Sequence, residues 1–204
     1  MLELIAVGKR YGKKTILQDV SHVFKPGATV ITGPSGAGKS TLLRLCATVE
    51  RPSTGEIRWQ STPPRKAIRS RLGYAPQRID FPEDLSGLDF LLHVAALKRL
   101  ALGPAKSQAL ALLDRLGLKG DSGTLIAAYS GGMRRRLGLA QAFLGAPELL
   151  VLDEPTAELD SVTAAHVNDL IFEFADRAVL LMTTHLQASL AGRDYRSLEI
   201  RAIS

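Results

Sequence analysis

Cysteine is nearly absent: Cys46 is the only one in 204 residues. No internal disulfide can form, and a reducing compartment suits the chain. With Leu42, Leu43 and Leu45 beside it, the thiol reads as a small buried hydrophobe rather than a nucleophile. Long apolar runs are also lacking. The longest lies in "RAVLLMTTH", far short of the ~20 residues that cross a bilayer. The opening "MLELIAVGKRYGKK" has no apolar leader region and alternates like a strand, which argues against a secretory signal. Repeats, low-complexity tracts and long linkers are missing as well. A chain of 204 residues suits one domain and can bury roughly 70% of the surface its unfolded form exposes. The expectation is a soluble, internal protein that reaches a membrane only through a partner.

Charge is present but unevenly spread. Residues 1–78 carry 14 Lys/Arg against 4 Asp/Glu, and residues 79–204 carry 12 against 16, within a net +6. The first part can attract a polyanion, while the second can supply carboxylates for metal and water. A nucleic-acid surface is equally compatible with charge alone.

"LELIAVGKRYGKKTILQDVSHVF" alternates as antiparallel strands with a turn at "YGKK". "PGATVITG" reads as a short buried strand, "GKSTLLRLCATV" as the helix after it, and "STGEIRWQ" as a further edge hairpin. From about Ser86 to Leu118 the periodicity is helical. Leu88, Leu91, Leu92 and Ala95 share one face, Ala109, Leu112, Leu113 and Leu116 another, and Gly103-Pro104 is expected to break the two. "MRRRLGLAQAFLG" and "SVTAAHVNDLIFEFA" read as helices, "ELLVLDEP" and "AVLLMTTH" as buried strands. Apolar strands alternating with helices predict an α/β fold with a parallel sheet covered on both faces. The helical block at 86–130 interrupts that alternation and is expected to form its own lobe.

Two glycine-rich turns open helices. "GPSGAGKS", Gly33 to Ser40, fits the phosphate-loop pattern with the required strand before and helix after. Gly33, Gly36 and Gly38 allow backbone N–H groups to curl around phosphates at a helix N-terminus. Pro34, Ser35, Ala37 and Thr41 complete the expected nucleotide contacts; Lys39 is placed to bridge the β- and γ-phosphates and Ser40 to ligate Mg²⁺. "LLVLDEP" delivers Asp153 as a magnesium ligand, direct or through water. Glu154, one residue on, is placed as the base for an attacking water.

Taken together, "GPSGAGKST", "YAPQ", "YSGGMRRRL", "LLVLDEPTAELD" and "TTH" resemble, in order and spacing, the ATP-binding cassette (ABC) ATPases over about residues 2–190. The base-reading Asn-Lys-x-Asp of GTPases is missing, since Asn168 is the only asparagine. The resemblance implies a P-loop NTPase core at 1–85 and 131–204, with an N-terminal antiparallel β subdomain and an inserted α-helical lobe at 86–130, all in one domain. It also implies a head-to-tail dimer around two Mg-ATP. In such a dimer Ser130, Gly131 and Gly132 cap the γ-phosphate held by the other subunit's Lys39, through unpaired amides and the positive helix end. By the same resemblance Tyr11 stacks on adenine and Gln77 meets both magnesium and a membrane partner. His185 contacts the γ-phosphate and supports Glu154, and Asp160 touches the dimer partner. Arg134, Arg135 and Arg136 read as a solvated helix face, and His22, His93 and His166 as structural.

Three departures from the family pattern stand out. Tyr129 and Met133 replace the commoner leucine and glutamine of the signature turn, in a form similar to exporter-type cassettes. Glu158 stands where glycine is usual. The stretch after His185 leaves little room for closing strands. The function implied is the ATP-hydrolysing subunit of an ABC transporter, pairing as homodimer or heterodimer. It would be cytoplasmic and docked on an integral membrane permease at the inner face of the membrane, with no direct membrane insertion. A non-transport ABC ATPase acting on nucleic acid or ribosomes is the main alternative, disfavoured by the short helical lobe and single cassette; a P-loop kinase would leave the signature turn without a purpose.

Overall fold

The computed structural model describes residues 1–60, 68, 71–185 and 187–202. Strand β1 (Leu2–Tyr11) folds back on β2 (Lys14–Phe24) through a two-residue turn at Gly12, whose φ is 57°. Tyr11 pairs with Lys14 across it, as a short hairpin turn requires. The segment expected to be a second hairpin is instead one strand, β4 (Thr54–Trp59), paired antiparallel with the free edge of β1. Its glycine marks contact rather than a turn: a Cβ on Gly55 would lie 2.1 Å from the Ala6 carbonyl oxygen. The β1 strand bulges there and comes too close for a side chain.

The second sheet is parallel throughout, in the order β5-β6-β7-β3-β8. Its strands are β3 (Gly27–Thr32), β5 (Leu72–Ala75), β6 (Leu149–Asp153), β7 (Val179–Thr183) and β8 (Arg196–Glu199). Strand β8 supplies an edge strand next to β3, where the sequence predicts little room for one. At four residues, β5 and β8 are too brief to show a period, and only their neighbours in the sheet make them strands.

Every residue of β6 and β7 is buried, which explains their continuous apolar runs. Alternate side chains enter two different cores. Val30, Leu150, Leu152, Leu180 and Met182 face the larger one, whereas Ile31, Leu149, Val151, Val179 and Leu181 face the other. The second core is roofed by α1 (Lys39–Cys46) and the antiparallel sheet, with Leu2, Leu4, Trp59 and the fully buried Cys46 packed into it. Burial pushes the Cys46 thiol up to about 12, so it stays protonated and inert.

The larger core gathers α2 (Gly87–Leu97), α3 (Leu102–Arg115), α4 (Gly131–Phe143) and α5 (Ser161–Ala175). Helix α2 starts at a box closed by two side chains. Ser86 Oγ accepts from the Asp89 N–H at 3.1 Å and donates to the Asp89 carboxylate at 2.7 Å. The helix break lies at Lys98–Ala101, with Arg99 in a left-handed turn at φ 59°. Gly103 and Pro104 do not break anything; they occupy the first turn of α3, where proline's missing N–H is not needed. The α2–α3 pair shares its apolar contacts with β6 and β7 in one continuous cluster.

Candidate functional site

The phosphate-loop residues leave β3 at Thr32 and re-enter regular structure at Lys39. Gly33, Gly36 and Gly38 have φ of 137°, 77° and 97°, which side-chain-bearing residues rarely adopt. Gly33 is also pressed by the chain end: a Cβ there would lie 2.1 Å from the Ile200 carbonyl oxygen. That segment is pinned where the Ile200 N–H donates to Thr32 O at 2.8 Å. Helix α1 begins with no side-chain cap and no acid in its first turn, so its leading N–H groups stand open for an anion. Lys39 folds over the loop, its Nζ donating to Gly33 O at 2.8 Å and Pro34 O at 2.9 Å.

Strand β6 delivers the acids and β7 the hydroxyl that holds them. Asp153, 4% exposed at the end of β6, accepts a 2.6 Å hydrogen bond from the Thr183 hydroxyl. The same hydroxyl accepts from the Glu154 N–H at 3.0 Å. Glu154 is thereby held at φ 52°, a strained conformation for glutamate, and its side chain turns toward the loop. His185 Nε2 lies 2.5 Å from Glu154 Oε1. Ile16, Ser35, Gly36, Gly38, Lys39, Ser40, Thr41, Gln77, Glu154 and His185 line one cleft of about 290 Å³. Asp153 lies beneath this cleft rather than on its wall. Nearby, burial first and the Asp153 carboxylate second push the Tyr74 hydroxyl up to about 12.

Tyr11 does not line the cleft. Its hydroxyl donates to Glu50 at 2.5 Å and accepts from Arg44 at 3.2 Å, and Lys9 Nζ sits 4.9 Å above its ring. Burial opposes charge on Glu50, yet hydrogen bonds from Tyr11, Lys9 and Arg44 outweigh it and hold the carboxyl below its ordinary range. Ile16 takes the wall position instead.

The second glycine turn lies elsewhere. Ser130 caps α4, its Oγ accepting from the Met133 N–H at 3.3 Å, and Ser130 and Gly131 are exposed. Neither belongs to the phosphate-loop cleft. A second hollow of about 240 Å³ joins this turn to Gln77, with Phe81, Gly131, Arg134, Arg135 and Glu158 on its walls. Tyr129 is buried just before the turn, its hydroxyl donating to Asp121 O at 2.7 Å. Gly87 makes room for it, since a Cβ there would lie 2.4 Å from that hydroxyl.

The three arginines that follow are not a solvated face. Arg134 pairs with Glu83 at 3.0 Å, and Arg135 donates to Pro76 O at 3.3 Å. Arg136 donates to Leu116 O and Gly117 O at 2.9 and 3.1 Å, satisfying the carbonyl end of α3. Charge alone suggested solvent; a carboxylate, the Pro76 carbonyl and the free carbonyls at the end of α3 took these side chains. Asp160 caps α5. Hydrogen bonds from Thr163, and then from Val162, hold its carboxyl below the usual range. His93 and His166 bond backbone carbonyls of Asp89 and Arg115 at 2.8 and 2.7 Å, and His22 packs edge-on against Phe24.

Thr183, whose hydroxyl joins Asp153 to the Glu154 N–H, is a site contact that the sequence reading does not include. Its signal was a hydroxyl ending the otherwise apolar "AVLLMT", in a strand where every residue is buried.

The ABC transporter family profile matches residues 17–157. Over 187 residues the chain is 33% identical to an uncharacterized ABC transporter ATP-binding protein, YxlF of Bacillus subtilis, covering 91% of this chain and 63% of that protein. It is 34% identical to the phosphonates import ATP-binding protein PhnC of Lactiplantibacillus plantarum, covering 91% of this chain and 79% of that one. Among solved structures, a dimeric bacterial ABC transporter cassette, MJ0796, superposes with a TM-score of 0.87 at 23% identity, covering 100% of this chain and 97% of that one. This likeness extends to the fold.

Proposed function

We propose, from the premise that this chain belongs to the ABC transporter family, that it binds and hydrolyses ATP as the nucleotide-driven subunit of a transporter. The observation that carries the reading is the separation of the two glycine turns. One lines the cleft with Lys39, Glu154 and His185; the other opens outward with amides that nothing in this chain's cleft can use. A head-to-tail pair of chains would give each cleft its missing cap. The MJ0796 cassette, which shares this fold, is dimeric, in keeping with pairing of two chains.

In this reading Gly33, Pro34, Ser35, Gly36, Ala37, Gly38, Ser40 and Thr41 wrap the phosphates, and Lys39 turns from the loop carbonyls to the β- and γ-phosphates. The donor set suits magnesium: a hydroxyl (Ser40), an amide oxygen (Gln77) and a buried carboxylate (Asp153) are hard oxygen ligands. Among the described residues no three His, Cys, Asp or Glu converge on one point, so phosphate and water would complete the shell. When bound, magnesium would neutralise charge on the transferring phosphate. Glu154 then takes the proton of the attacking water, Thr183 fixes its backbone and His185 fixes its carboxylate. Tyr11, outside the phosphate cleft with Lys9 over its ring, would stack on adenine.

The residues at 86–130 act as the lobe that carries Ser130, and Gln77 links it to the cleft. A membrane permease docked near that junction, at the inner face of the membrane, would feel the lobe move. Among the described residues no helix is long and apolar enough to cross a membrane, so contact with the bilayer runs through that permease. Relatives whose names say phosphonates import, aliphatic sulfonates import and Nod factor export favour transport over work on nucleic acid or ribosomes, and leave direction open. The chain spans 63% and 58% of two curated relatives' lengths. The test is copurification from its native membrane: a multi-span protein should accompany the chain, with magnesium-dependent hydrolysis that Glu154→Gln abolishes. Recovery with nucleic acid or ribosomes instead would overturn transport.

A further inference from the structure

Glu158 is the departure from the family pattern that bears most directly on the Ser130 turn. It stands in the β6–α5 connection at φ 67°, a left-handed conformation that glycine would adopt freely. Its side chain does not point away from the site. Glu158 Oε2 comes within 3.1 Å of where a Cβ on Gly131 would stand, and both residues wall the hollow that reaches Gln77. The nearby basic groups are engaged elsewhere, Arg134 with Glu83 at 3.0 Å and Arg135 with Pro76 O at 3.3 Å. Meanwhile Ser130 Oγ serves the Met133 N–H, and among the described residues the Gly131 and Gly132 N–H groups have no backbone acceptor. A negative charge therefore sits at the rim of a surface whose task is to receive a phosphate.

We propose that Glu158 is an electrostatic brake on ATP-driven closure, its carboxylate opposing the γ-phosphate that the second subunit brings to Ser130, Gly131 and Gly132. The inference rests on the head-to-tail reading above. Two like charges brought within several ångströms at a partly desolvated surface repel appreciably, and a symmetric pair meets the cost twice. Glu158 would thus set how tightly two chains close on ATP without touching the chemistry.

The experiment measures dimer dissociation constants by sedimentation in saturating Mg-ATP. It uses the full chain with Glu154→Gln, alone and combined with Glu158→Gln or Glu158→Gly. Glu158→Gln keeps the shape and removes the charge; it should tighten the dimer by about tenfold or more, and the gain should shrink as salt rises. Equilibrium dialysis on monomers should show unchanged ATP affinity. A dimer unchanged or weakened by Glu158→Gln overturns the brake, as does tightening by Glu158→Gly alone, which would assign the effect to backbone strain. If every variant binds Mg-ATP yet stays monomeric, the head-to-tail reading falls and the brake with it. Dimerisation of the parent without a gain in the variant overturns the brake alone.

Discussion

The two glycine turns of this chain share their physics and differ in what surrounds them. Each ends in a helix whose first amides lack intrahelical partners. The loop at Gly33–Gly38 is enclosed by its own chain: Ile200 presses on it, Lys39 lies across it, and Glu154 and His185 face it. The turn at Ser130–Gly132 has an exposed mouth, with Glu158 and Leu159 nearest its two glycines. In the proposed reading the first turn holds the nucleotide within one molecule, and the second acts only when a further molecule carries an anion to it. Each complete site would then be shared between two chains.

Separate damage to the two turns sharpens this contrast. Lys39→Ala should weaken nucleotide binding to the monomer by about a hundredfold, since a charge-assisted grip on phosphate is lost, and dimerisation should fail with it. Gly132→Asp should leave monomer binding of ATP intact and abolish dimerisation and turnover. A Cβ at Gly132 meets nothing closer than Leu159 Cδ2 at 3.5 Å, so the variant should fold. Nucleotide titration and sedimentation on both variants check this; equal loss of ATP binding in the two would erase the distinction.

A smaller effect concerns how the first site is held. Thr183→Val removes the donor to Asp153 and the acceptor for the Glu154 N–H. Hydrolysis should fall about tenfold, and stability by about 1–3 kcal/mol, because a buried carboxylate loses its partner. Unaltered kcat would mean that the strained backbone at Glu154 holds without the hydroxyl.

The smallest concerns the base of the lobe. Lys98 donates to Leu144 O at 2.6 Å, and burial pushes its pKa down from 10.5 to about 8. Below about 8 both folded and unfolded chains carry the charge and the folded state bears the full cost of burying it. Between about 8 and 10.5 the unfolded chain binds more protons, so stability rises with pH. The stability difference between the native chain and Lys98→Met, followed by denaturant unfolding, should shift in favour of the native chain by on the order of 1–3 kcal/mol across that window. A flat difference would contradict a buried ammonium.

Much of this was legible in the residues. "GPSGAGKS" and "LLVLDEP" placed Lys39, Ser40, Asp153 and Glu154, because phosphate loops and buried strands announce themselves by short-range pattern. Helix α5 was legible to the residue, whereas the capping role of Asp160 came only with the structure. What sequence could not give were contacts made over long separations. Gly55 looked like a turn until β1 was seen against it, and Arg136 looked solvated until the carbonyls of Leu116 and Gly117 took it. Thr183 lay hidden for the same reason: its two partners stand 29 and 30 residues away on the next strand.

The central claim is that one chain cradles each nucleotide while another caps it, and mixing two defective chains tests it most directly. With Glu154→Gln in both, one chain also carries Lys39→Ala and the other Gly132→Asp. Neither should pair with itself in Mg-ATP. Together they should form a heterodimer trapping one nucleotide, held by Lys39 of the second chain and the Ser130 turn of the first. A mixture that traps no more nucleotide than its components would contradict the account.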